Sequence, residues 1–100
     1  MKTRGYQVIE LNYRIKYGEI DIISKKNKFL IFIEVKTRRS EKFGKPQYSV
    51  NYRKQNKIKK IAKFFIYEYQ QYNNLKTRFD VIVVNIKNNK AYLKHFDNAF

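Results

Sequence analysis

The chain has 100 residues, no cysteine and a formal charge of +15 at pH 7, from 23 Lys and Arg against 8 Asp and Glu. That length suits one domain around one core, and the cysteine count excludes disulfides, thiolate metal sites and cysteine nucleophiles while fitting a reducing compartment. No apolar run approaches the ~20 residues of a membrane span, and no apolar signal segment follows Met1-Lys2-Thr3-Arg4, so the expectation is a cytoplasmic protein with no membrane partner.

In chain order, residues 6–14 mix aliphatic, aromatic and polar types and read as a strand. Residues 18–24 alternate, with Ile20 and Ile22 predicted on one face and Glu19 and Asp21 on the other. Residues 28–37 form the strongest strand pattern: Phe29, Ile31, Ile33 and Val35 oppose Leu30, Phe32, Glu34 and Lys36. Between these two strands, Lys25-Lys26-Asn27-Lys28 suits a tight hairpin. A two-residue turn at Lys26-Asn27 sets Glu19 against Glu34 and Asp21 against Phe32. Glu19, Asp21, Glu34 and Lys36 then share a face, with direct neighbours ~5 Å apart. A one-residue slip divides the carboxylates between faces.

Residues 38–48, with Gly44 and Pro46, read as a loop. A helix is expected from about Ser49, as its N-cap, to about Tyr69, with Ile58, Ile61, Ala62, Phe65, Ile66 and Tyr69 in one apolar stripe. One turn further back the stripe passes through Lys54 and Gln55, which either leave the core at a fraying end or point into a site. Residues 70–77 form a polar connection. The nearly continuous apolar run 79–86 predicts a buried strand. Asn88-Asn89 turns the chain into a last strand over about 90–96. The order β-β-β-α-β-β, with a crossover helix between the third and fourth strands, predicts that those two lie parallel in one mixed sheet.

The charge excess is spread along the chain. Lys25, Lys26 and Lys28 cluster at one turn, Lys36, Arg38 and Arg39 follow the acidic motif, and Arg53, Lys54, Lys57, Lys59, Lys60 and Lys63 lie on the predicted helix. Such a field favours a phosphate backbone. A Lys- and Asn-rich coding bias produces the same excess without a polyanionic partner. Against this background the grouped carboxylates stand out. Hard cations such as Mg²⁺ take carboxylate and carbonyl oxygens and retain several waters. Asp21 and Glu34 can supply two ligands and the Val35 carbonyl a third. Lys36 can orient or deprotonate a nucleophilic water, or offset charge on the phosphate. Glu19 is either a further ligand or the partner of a nearby base. The bland alternative is an exposed cross-strand salt bridge worth at most ~1 kcal/mol.

Several separated segments also resemble a family. Gly5-Tyr6, Asn12-Tyr13-Arg14, Gly18-Glu19-Ile20-Asp21-Ile22-Ile23, Phe32-Ile33-Glu34-Val35-Lys36-Thr37-Arg38 and Arg78-Phe79-Asp80-Val81 are similar to the YraN family. So are the spacing of Val50, Lys54-Gln55, Lys57 and Ala62, and the terminal Asn98-Ala99-Phe100. The resemblance runs from Gly5 to Phe100. It implies an α/β fold with a restriction-endonuclease-like mixed central sheet of the PD-(D/E)xK type, related to archaeal Holliday-junction resolvases, and a single nuclease-like domain over 1–100. It implies Asp21 and Glu34 as metal ligands for Mg²⁺ or Mn²⁺ and Lys36 as the catalytic lysine, with Lys54 or Gln55 at the assisting helix position. Two departures are visible: Ile20 stands where the name-giving proline falls, and the chain begins after the N-terminal helix usual in the family.

The resulting expectation is a Mg²⁺-dependent endonuclease on structured or branched DNA. Its catalytic set is Asp21, Glu34, Lys36 and Glu19, its nucleic-acid contacts are Arg38, Arg39, Lys54, Gln55 and Lys57, and a homodimer follows by analogy with resolvases. The competing readings are an inactive nucleic-acid-binding module of the same fold and a basic RNA- or ribosome-associated protein. His95 is expected at the surface or in packing, Asp80 in a local ion pair with Arg78, and Tyr6, Tyr48 or Tyr52 as residues able to stack on bases.

Overall fold

The computed structural model describes residues 5–39 and 50–100. Three strands, β1 (Gln7–Ile15), β2 (Gly18–Lys26) and β3 (Phe29–Arg38), precede the helix α1 (Tyr52–Glu68), and β4 (Lys76–Lys87) and β5 (Lys90–Phe96) follow it. A short 3-10 turn over Gln70–Tyr72 joins α1 to β4. The five strands form one sheet in the order β1-β2-β3-β4-β5. Only the β3–β4 pair is parallel, as a crossover through α1 requires.

The alternation of β3 divides the core. Leu30 and Phe32 face α1 and pack with Ile58, Ile61, Ala62 and Phe65 of the helix and with Val81 and Val83 of β4. Ile31 and Ile33 face the other way and pack with Tyr6 and Ile82. Both faces of β3 are thus buried, which explains why its sequence is apolar at nearly every position. The helix begins at Asn51, whose side chain accepts the Lys54 N–H at 2.9 Å. Ser49, the expected cap, lies outside the described residues, as does most of the expected 38–48 loop. Two of the three hairpin turns use asparagine at positive φ: Asn27 at 55° between β2 and β3, and Asn88 and Asn89 at 52° and 62° between β4 and β5. Asparagine tolerates this conformation better than other side chains with a Cβ.

Two local expectations are corrected. The β2–β3 turn is Asn27-Lys28, with Lys26 opposite Phe29, so the register differs by two residues from the one predicted. Glu19 does not oppose Glu34, nor Asp21 Phe32. The observed pairing runs from Lys26–Phe29 to Ile22–Ile33 and stops short of Asp21 and Glu34. The simple alternation of β2 also fails. Ile20 belongs to the helix-side cluster whereas Ile22 packs against the opposite one. The change coincides with Asn12, which lies between the Leu11–Ile22 and Tyr13–Ile20 pairs and has φ 51°.

Candidate functional site

The regular β2–β3 ladder ends at the Ile22–Ile33 pair. Beyond it, the Val35 N–H donates to Asp21 Oδ2 at 2.7 Å, a side-chain oxygen standing where a backbone acceptor is expected. This bond holds the Asp21 carboxylate within about 5.6 Å of the Glu34 Cα, from bond lengths alone. Glu34 is buried, at 9% exposure, on the helix-facing side of β3. Its Oε2 lies 2.6 Å from Lys54 Nζ, which reaches over from the first turn of α1. Gln55 secures that turn by donating from Nε2 to the Val50 carbonyl at 2.7 Å.

Glu34 and Lys54 are therefore paired beneath the start of the helix, and the Asp21 carboxylate lies against the Val35 backbone, one residue along β3 from Glu34. Lys36 lies two residues beyond Glu34 on the same face of β3, half-buried and opposite Val83 of β4. Glu19 goes elsewhere. It is exposed and takes both Nε and Nη2 of its cross-strand neighbour Arg14, at 3.0 and 2.7 Å. Arg38 ends β3, Arg39 follows it exposed, and Lys57 sits exposed one turn along α1 from Lys54. Among the described residues no three His, Asp or Glu side chains come together as a metal cluster. Two carboxylates with an adjoining backbone carbonyl are nevertheless a donor set of hard oxygens, which fits an ion that keeps most of its own waters.

The expected Arg78–Asp80 ion pair is present, and it is the centre of a larger polar cluster on the sheet face away from α1. Asp80 is fully buried and accepts from Arg78 Nε and Nη2 at 2.9 and 2.8 Å and from the Asn98 N–H at 3.0 Å. His95 Nε2 lies 2.7 Å from its Oδ2. Arg78 also donates to the Tyr6 hydroxyl at 2.9 Å, and the Tyr6 and His95 rings pack with centroids 5.3 Å apart. Burial by itself pushes the Asp80 carboxyl up, but the bonds from Arg78, Asn98 and His95, with the Arg78 charge, outweigh it and hold the group below the usual carboxylate range. Tyr6 is thus committed to the interior and does not offer a stacking face, while Tyr52 is 74% exposed and Tyr48 lies outside the described residues. The Arg78-Phe79-Asp80 spacing gave the ion pair; nothing in the sequence gave His95 as its third member, because that contact depends on the β4–β5 register.

An open mixed sheet backed by one helix, with two carboxylates at the divergence of adjacent strands, defines an α/β protein with a candidate acidic site. No helix among the described residues is long and apolar enough to cross a membrane. The family model described as "Uncharacterised protein family UPF0102" matches residues 1–84. A UPF0102 protein of Thermodesulfovibrio yellowstonii is 48% identical over 98% of this chain and 82% of its own length. One from Clostridium botulinum is 45% identical over 100% of this chain and 83% of its own. Another, from Caldicellulosiruptor bescii, is 45% identical over 96% and 82%. The chain belongs to the UPF0102 family, which is the YraN family of the resemblance.

Proposed function

We propose that this chain is a metal-dependent endonuclease domain of the PD-(D/E)xK type, with a restriction-endonuclease-like sheet, acting on structured or branched DNA. The observation that supports the reading is the bond from the Val35 N–H to Asp21, which holds a second carboxylate against the β3 backbone next to Glu34. Asp21 and Glu34, with the Val35 carbonyl, are the residues that would hold Mg²⁺ or Mn²⁺. Such an ion supplies Lewis-acid stabilisation of the phosphate and a more acidic bound water. Lys36, on the same face, orients the attacking water and offsets charge building on the phosphoryl oxygens. Lys54 screens Glu34 and links the helix to the site, and Arg38, Arg39 and Lys57 lead the phosphate backbone toward it.

One contact favours a second reading, a nucleic-acid-binding module without catalysis. The Lys54 ammonium already neutralises Glu34 at 2.6 Å, the electrostatic role a metal would otherwise fill. A cleavage assay on junction, flap, single-stranded and duplex DNA, with and without Mg²⁺ or Mn²⁺, separates the two. The nuclease reading expects metal-dependent cutting that falls roughly 100-fold or more in Asp21→Asn and in Glu34→Gln, with DNA binding retained. Binding of these substrates with no cutting under any metal condition establishes the second reading instead.

A further inference from the structure

The outer flank of α1 carries a surface that the acidic site does not use. Tyr17, at the β1–β2 turn, is 49% exposed and stacks on Phe64 of the helix with ring centroids 5.8 Å apart and planes 28° from parallel. Lys60 Nζ lies 5.4 Å from the Tyr17 ring centroid and Lys16 Nζ 6.0 Å from it. Beside this stack an open groove of about 310 Å³ is lined by Lys60, Lys63, Phe64 and Tyr67, with Tyr67 79% exposed. The rings stay exposed while Phe65, on the inner face of the same helix, is buried.

The charge around the rings selects the kind of partner. The helix holds Arg53, Lys54, Lys57, Lys59, Lys60 and Lys63 against one acid, Glu68, and Glu68 is turned away to accept the Tyr13 hydroxyl at 2.8 Å. Lys57, Lys60, Phe64 and Tyr67 fall within about 80° of one another around the helix, while Lys54 lies on its inward stripe against Glu34. Phe64 then lies about 15 Å, and Tyr67 about 20 Å, along the axis from Lys54. A cationic flank that ends in paired, accessible aromatic rings matches a strand with a charged backbone and flat unpaired bases. Duplex DNA offers the charge but keeps its bases stacked internally.

We infer that Tyr17, Phe64 and Tyr67, with Lys60 and Lys63, form a platform for the unpaired bases of a single-stranded nucleic-acid segment. The inference rests on the nucleic-acid partner of the preceding reading, but not on metal binding or cleavage. Fluorescence anisotropy in EDTA tests it with three probes: oligothymidine of about twenty nucleotides, an abasic oligomer of equal length and charge, and a blunt duplex. Oligothymidine should bind about ten-fold or more tightly than the abasic oligomer. Tyr17→Ala/Phe64→Ala should erase that preference while leaving abasic affinity in place, and Tyr17→Phe should keep it. Lys60→Ala/Lys63→Ala should weaken all three probes together. Because Tyr67 is exposed, Tyr67→Ala gives a reading of the platform that does not depend on the Tyr17–Phe64 stack, and it should lower the preference in part. Equal affinity for oligothymidine and abasic oligomer, or an unchanged preference in the aromatic variants, overturns the platform and leaves the nucleic-acid reading intact. Absence of binding to every probe at low salt overturns both. A sedimenting dimer that Tyr17→Ala/Phe64→Ala dissociates, with no base preference, assigns the rings to a second copy of the chain and overturns the platform as well.

Discussion

Asp80 shows how one buried charge is made tolerable. A carboxylate taken wholly out of water is costly unless its oxygens are occupied, and here both are, by Arg78, His95 and the Asn98 N–H. The Arg78 guanidinium, 13% exposed, depends on the same contact, and its own proton affinity is raised by it. Asp80→Asn leaves that guanidinium without its counter-charge and is expected to cost about 3–5 kcal/mol near neutral pH, read from the shift of the urea midpoint. The pH dependence has a definite sign. Because the folded-state pKa is depressed below the ordinary 3.8, the carboxylate contributes stability above that value and loses it as pH falls through the folded pKa. The gap between wild type and Asp80→Asn should therefore stay constant through neutrality and narrow only below about pH 4. A gap that closes between pH 7 and 5 would place the interaction elsewhere. Tyr13 offers a spectroscopic counterpart: burial, and then its bond to Glu68, push its hydroxyl up to about 12, so ultraviolet titration should show one tyrosine ionising late.

At the level of elements, the β1–β2 hairpin reaches the helix through a glycine. Gly18 has φ 147°, and a Cβ there would sit 3.1 Å from Ile61 Cδ1 and 3.2 Å from Lys57 Cε. Lys57 can swing aside, but Ile61 is 1% exposed and held in the core. Gly18→Ala is accordingly expected to destabilise the protein by about 1–3 kcal/mol, from backbone strain and crowding together, at an unchanged denaturant slope. The same hairpin marks the limit of what the sequence disclosed. The strand order, the parallel β3–β4 pair and the inner stripe of α1 follow from periodicities of two and 3.6, which are local properties of the chain. The β2–β3 register does not, because Asn27-Lys28 and Lys26-Asn27 are equally good polar turns and only packing of both faces of β3 chooses between them. The turnover of β2 at Asp21 is hidden for the same reason: it coincides with the positive φ of Asn12, on another strand. Glu19 fell beyond the site and onto Arg14, and the place of Asp21 is set by the bond it accepts from the Val35 N–H, which no count of register foretells.

For the molecule as a whole, the +15 charge bears on association more than on folding. The buried clusters hold few charges, and those are paired, so the excess lies in water, where it is screened over about 10 Å at 0.1 M salt. Its densest described expression is α1, where Lys54 is tied to Glu34 and five other cations remain on the helix. If a phosphate backbone lies along this helix and engages about five of them, the logarithm of the duplex affinity should fall with the logarithm of salt at a slope of about −4.5, and of about −3.5 for single strands. Lys57→Ala/Lys60→Ala/Lys63→Ala should reduce the magnitude of the duplex slope by about 3. All three side chains are exposed, so the variant should unfold at the wild-type midpoint or above it, relieved of some self-repulsion. A slope unchanged in the triple variant would move the proposed phosphate path off α1, to the opposite rim or the β3 terminus, and away from the Lys54–Glu34 pair.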